Sequence, residues 1–178
     1  MNKYEIITIT QEMINKAQSL IDTVKLNRTV ASKIDTLTGI LGEFAFAQYF
    51  YGDWKKHLVG KNKGNLDFED IEIKTSAFPF RDTLNLLVRE DYAKKRKPPF
   101  YIQIIINVNS KKADNIKAGT EAIISGWATY KDIEKAPKKD FGSKLSNKGG
   151  YNCFYIPIKN LQPMHSFKEA YNKRNKNE

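Results

Sequence analysis

The sequence predicts an α/β or α+β sandwich folded as one domain. Three observations predict it. Two helix-patterned stretches open the chain, short strand-patterned segments follow, and a nearly all-apolar run at 100–108 comes after a short charged helix. At 178 residues the chain is long enough for one proper core. Neither an internal repeat nor a second domain is visible. The expected core spans about 34–127, with a C-terminal strand and tail at 151–178.

Residues 9–25 form the first predicted helix. Thr10 is a suitable N-cap, and Met13, Ile14, Ala17, Leu20, Ile21 and Val24 recur at three- and four-residue spacing on one face. The segment from Lys25 to Lys33, with Arg28 in it, is either a solvated loop or a contact for a phosphate backbone. The second helix, 34–51, is apolar nearly all round, as expected of a helix buried against other elements. Glu43 is the only charged residue between Asp35 and Asp53. If buried, it needs a basic group, a hydrogen-bond donor or a metal ion; otherwise it sits at a solvent window. Gly39 and Gly42 sit beside it, at a cost to the helix of about 1 kcal/mol each relative to alanine. Close passage of another backbone would explain that cost.

Gly52 stops the helix. Trp54 to Val59 is expected as a strand and Lys61 to Asn65 as a turn. Leu66 to Phe68 and Ile71 to Thr75 then read as the arms of a hairpin, with Glu69 and Asp70 at its corner. After a turn at Pro79 to Asp82 come a strand at Thr83 to Val88 and a charged helix at 89–97 that ends before Pro98 and Pro99. The 100–108 run is rich in β-branched and aromatic residues and is expected as a central strand buried on both faces. A polar loop at 109–119, a strand at 121–127 and a short helix at 130–136 follow. Residues 138–150 are basic and glycine-containing, a candidate mobile loop. Asn152 to Ile158 reads as an edge strand, because Pro157 cannot donate to a ladder. The tail ending in NKRNKNE is expected to fray.

The 30 basic and 20 acidic residues give a net charge of +10. That favours a polyanionic partner, of which nucleic acid is the commonest. The abundance of lysine, asparagine and isoleucine offers a plainer source, an AT-rich gene. Cys153 is the single cysteine, which rules out an intramolecular disulfide and a cysteine-cluster zinc site. With only His57 and His165, histidine-rich metal chemistry is not expected. No run approaches the roughly eighteen apolar residues of a membrane span, and MNKYEIITIT lacks a secretion-signal pattern. The expectation is a cytoplasmic protein in a reducing compartment, with no membrane partner.

The stretch that carries chemistry is Ile71-Glu72-Ile73-Lys74. Its strict alternation points the isoleucines one way and Glu72 and Lys74 the other. Such a charge pair is either a surface ion pair, worth under about 1 kcal/mol, or the centre of a metal-dependent site. Phosphodiester hydrolysis assisted by a metal needs hard oxygen ligands for an ion such as Mg²⁺. It also needs a cation near the attacking water or the phosphorus. Asp67, Glu72 and Lys74 supply both in one hairpin, the Ile73 carbonyl lies between them, and Glu43 can reach from the helix.

This arrangement resembles the PD-(D/E)xK superfamily of restriction-endonuclease-like nucleases. Its motif is an Asp, a spacer, then Glu/Asp-x-Lys on the neighbouring strand, after a helix bearing a Glu. Glu43, Asp67, Glu72 and Lys74 fill those positions. Leu66 stands where a Pro often precedes the Asp, and no Gln-x-x-x-Tyr follows, unlike the RecB-like exonuclease branch. A second Asp-x-Lys string, Asp53-Trp54-Lys55, lacks an alternating apolar face and is set aside. The resemblance covers about 34–108. It implies a mixed β-sheet flanked by helices in the core order αβββαβ, and a Mg²⁺-dependent deoxyribonuclease, with Mn²⁺ as the alternative ion. Glu43, Asp67, Glu72 and the Ile73 carbonyl would be its metal ligands, and Asp67, Glu72 and Lys74 its catalytic set. By analogy it also allows endonucleolytic action on DNA and a homodimer.

Softer candidates surround that set. Ser76, Arg81, Lys94, Lys95, Arg96, Lys144 and Lys148 are candidate backbone contacts to nucleic acid, each with a solvated charge or hydroxyl as its plainer reading. Thr75 and Ser76 either meet a phosphate or end the strand. Gln103 either lines the site or faces solvent, and Trp127 reads as core. Two other functions stay in view. One is a non-catalytic nucleic-acid-binding or assembly module on the same fold, with RNA in place of DNA as a further option. The other is an unrelated α/β protein in which Glu72 and Lys74 decorate a surface.

Overall fold

The computed structural model describes residues 3–24, 33–59, 66–68, 70–110, 116–141 and 152–176. The expected turn at Lys61 to Asn65, the corner residue Glu69, most of the Lys25 to Lys33 connection, Lys144 and Lys148 lie outside them. The elements in order are β1 (Glu5–Thr8), α1 (Gln11–Val24), α2 (Lys33–Tyr51), β2 (Ile71–Phe78), β3 (Asn85–Arg89), α3 (Glu90–Arg96), β4 (Phe100–Asn107), β5 (Glu121–Thr129), α4 (Tyr130–Lys135), β6 (Lys138–Asp140), β7 (Asn152–Pro157) and α5 (Phe167–Asn175).

The result is an α/β fold with two sheets. The larger has the order β1-β5-β4-β2; β2 and β4 run parallel, and the other neighbours are antiparallel. The smaller, β3-β7-β6, is wholly antiparallel. β4 is central and buried on both faces, as its composition demands. Phe100, Ile102, Ile104 and Ile106 join the core under α1, α2 and α5. Tyr101 and Ile105 join a second core with Leu86, Val88, Ala93 and Ile133, from β3, α3 and α4. The larger sheet is therefore the middle of three layers.

Local signals explain most elements. The Thr10 hydroxyl accepts the Met13 N–H at 3.2 Å, capping α1 as expected. Lys97, in the left-handed region at φ 44°, ends α3 just before the two prolines. Thr129 and Asp132 form a reciprocal capping box on α4. Trp127 is core, its indole N–H donating to the Pro163 carbonyl at 3.1 Å.

Several expectations are corrected. Trp54 to Val59 is not a strand: Trp54–Lys56 is a 3-10 turn capped by Asp53. The Leu66 to Phe68 arm reduces to one bridge, Phe68 with Ile71. The strand expected at Thr83 to Val88 leaves the hairpin run and pairs with β7 in the smaller sheet, so the three strands of the expected αβββαβ order do not share one sheet. β7 is a middle strand, not an edge. Its Tyr155 N–H donates to the Pro137 carbonyl, and just past its end the Ile158 N–H donates to the Leu84 carbonyl. By alternation Pro157 faces the side that β6, paired only with 152–154, does not reach. β1 and β6 are strands that the sequence pattern does not predict, and β6 falls inside the expected mobile loop. The tail is helical through Asn175, with Phe167 fully buried. Among the described residues no helix is long and apolar enough to cross a membrane.

Candidate active site

β2 is an edge strand of the larger sheet, and that placement builds the site. Ile71 and Ile73 pack beneath α2, while Glu72, Lys74 and Ser76 project to the opposite face, toward β3 and α3. The outer edge of the strand is closed by the chain just before it. Ile71 and Phe68 exchange both backbone hydrogen bonds, at 3.2 and 3.1 Å. The Ile73 N–H donates to Asp67 Oδ2 at 2.8 Å. In a strand the N–H and C=O of one residue point to the same side, so the Ile73 carbonyl also faces this edge beside Asp67. Glu43 approaches from one face of the sheet and Glu72 from the other, with Asp67 at the rim between them.

The electrostatics reflect that gathering. Asp67 is half-buried by area. Its carboxyl is pushed up to about 8, first by burial and then by the Glu43 and Glu72 carboxylates, against the pull of the Ile73 N–H and Lys74. Glu72 is buried, with Lys74 Nζ at 2.6 Å from Oε1 and Arg96 Nη1 at 3.7 Å from Oε2. Neither is a full match for Oε2, which is buried without a hydrogen-bond partner. Burial, and then Glu72, raises the Tyr101 phenol above its ordinary range. Three hard oxygen donors that repel one another, one with an orphaned oxygen, fit a divalent cation chemically. Each is meanwhile held by its own neighbour, and among the described residues no group of three or more His, Cys, Asp and Glu is drawn together into a ready metal site.

The helix supplies Glu43 through a close approach. A Cβ at Gly42 would lie 1.9 Å from Thr75 Oγ1, so only glycine lets α2 settle onto β2 there. A side chain of β2, rather than a passing backbone, makes that demand. A Cβ at Gly39 would meet nothing within 4 Å. Glu43 is neither at a solvent window nor without a partner: Oε2 lies 2.6 Å from His57 Nε2. Gly52, at φ 72°, turns the chain after α2, and Asp53 caps the following turn through the Lys55 N–H at 3.0 Å. Trp54 packs on Phe44 with ring centroids 4.8 Å apart. That hook carries His57 back to Glu43, and sequence reasoning missed it. The paired aromatics Phe44 and Trp54 were the available signal.

The remaining candidates divide. Thr75 packs against α2, and β2 runs on to Phe78, so neither Thr75 nor Ser76 ends the strand. Ser76 shares the face of Glu72 and Lys74. Arg96 reaches the site through Glu72. Lys94 pairs with Glu90 at 2.9 Å on the exposed side of α3, and Lys95 is exposed beside it. Arg81 lies exposed in the turn beyond the far end of β2. Gln103 does not face solvent: it is 1 % exposed and sits beside Lys74 in the parallel register. Asp53 and Lys55 serve as a cap and as a partner of Glu12, at 2.7 Å. Compared with known proteins, the chain matches no family model, no curated protein and no solved structure.

Proposed function

We propose that this protein is a Mg²⁺-dependent nuclease that hydrolyses phosphodiester bonds in DNA, acting as an endonuclease. One observation carries the reading. Asp67, lifted to about 8 by burial and by Glu43 and Glu72, stands at the rim of a strand whose next acid is paired with Lys74. Such crowding of carboxylates is unfavourable unless a cation is to share them. When bound, Mg²⁺ supplies a Lewis acid for the phosphoryl oxygens. In this reading Glu43, Asp67, Glu72 and the Ile73 carbonyl hold it, with Mn²⁺ as a substitute. Lys74 orients or activates the attacking water and offsets the charge that develops at phosphorus. Arg96, and Lys94 and Lys95 on α3, bear on the nucleic-acid backbone.

The test is nicking of supercoiled plasmid with Mg²⁺. Wild-type protein should nick, EDTA should stop it, and Lys74→Ala and Asp67→Ala should each abolish it while the circular dichroism spectrum is kept. Undiminished Mg²⁺-dependent nicking by either variant would sink the assignment. Gel retardation without cleavage by wild-type protein would favour a non-catalytic binding module. The internal pairing of Glu72 with Lys74 is the observation on that side.

A further inference from the structure

We infer that His57 is a positioning residue for the cation site, which rests on the metal-dependent reading above. Its imidazole makes two contacts at once. Nε2 lies 2.6 Å from Glu43 Oε2, and the ring stacks on Phe68 with centroids 4.2 Å apart and planes 19° from parallel. Phe68 follows Asp67 directly and is pinned to β2 by its bridge with Ile71. His57 thus ties the acid on α2 to the arm that bears the second acid. Glu43 and Asp67 belong to elements separated by a long connection; Phe46 of α2 also meets Phe68 edge-on, with centroids 4.9 Å apart, and the His57 ring adds a contact that reaches the Glu43 carboxylate itself.

The pairing leaves Glu43 able to bind an ion. A carboxylate has two oxygens, so a bond at Oε2 is compatible with ligation through Oε1. Carboxylate ligands are commonly fixed this way, and losing the outer partner typically costs about 10–100-fold in metal affinity or activity. The ring itself is nearly enclosed, with 9 % of its side-chain surface exposed. A fixed, enclosed imidazole suits orientation better than proton exchange with solvent.

The test is binding of Mn²⁺ alone, read from the electron paramagnetic resonance signal of the free ion, with a thermal melt of each variant. His57→Phe keeps the stack and loses the hydrogen bond; His57→Gln keeps a donor in reach of Glu43. His57→Phe should weaken Mn²⁺ binding about tenfold or more, and His57→Gln should restore most of it. Phe68→Leu, which removes the stack together with the edge-on contact to Phe46 but keeps the His57–Glu43 hydrogen bond, should weaken binding by a smaller factor and decides the matter if His57→Phe does not fold. Wild-type affinity in both His57→Phe and Phe68→Leu would overturn the inference. Equal loss in His57→Phe and His57→Gln would also overturn it, because a donor restored to Glu43 would then count for nothing. If wild-type protein binds Mn²⁺ no better than Asp67→Ala, the metal site fails and the inference with it. If the variants behave as expected but wild-type protein cleaves no DNA, the positioning role stands and only the nuclease reading falls.

Discussion

Asp67 Oδ2 takes the Ile73 N–H at 2.8 Å, yet the same carboxyl is held up to about 8. Burial and two neighbouring acids outweigh a hydrogen bond that favours the charged form. Between 3.8, its ordinary value, and about 8, the folded protein keeps a proton that the unfolded chain has released. The stabilisation this gives is complete below the lower value and is lost as pH rises through the upper one. Asp67→Asn removes that dependence. In EDTA, the melting temperature of the variant should gain on wild type from about pH 5 to pH 8, by several degrees. Parallel curves across that range would refute the account.

Cation binding must then displace the same proton. Mn²⁺ affinity should climb as pH approaches 8 and flatten above it, by up to about tenfold per pH unit. Calorimetry at pH 7 in buffers of different ionisation enthalpy should report release of nearly one proton. Asp67→Asn should release none.

The two glycines of α2 should respond oppositely to one added methyl group. Gly42→Ala drives a Cβ into Thr75, and overpacking of this kind costs about 1–3 kcal/mol. Gly39→Ala meets open space and gains helix propensity, by up to about 1 kcal/mol. Urea unfolding of the pair should place them on opposite sides of wild type.

Lys95 is exposed on α3. If α3 tracks a phosphate backbone, Lys95→Ala should reduce the slope of log K against log salt by about 1 and leave turnover at saturating DNA unchanged. An unchanged slope in filter-binding titrations would remove α3 from the interface.

What the sequence made legible was local. Periodicity located α1 and α2, composition located β4, and strand alternation put Glu72 and Lys74 on one face, because each depends on residues a few positions apart. Pairing across long separations left no such mark. Nothing near Leu86 announces that β3 joins β7 some seventy residues on, rather than the strand before it. β1 and β6, at four and three residues, are too short to show a period. His57 escaped for a related reason. Its role depends on a hook formed by Gly52, Asp53 and Trp54, and a run with three apolar residues in six reads equally well as a strand.

The arm from Leu66 to Phe68 also guards the molecule against itself. The outermost strand of a sheet offers unpaired N–H and C=O groups to any passing chain, and natural proteins cover such rims with charges, turns or short pairings. Here the start of β2 is blunted from within: Phe68 uses the main-chain groups of Ile71, and the Asp67 carboxylate uses the N–H of Ile73. The hydrogen-bonding edge at the start of that strand is thereby closed to a second copy as a template for aggregation. A single bridge and one carboxylate close that stretch of the rim.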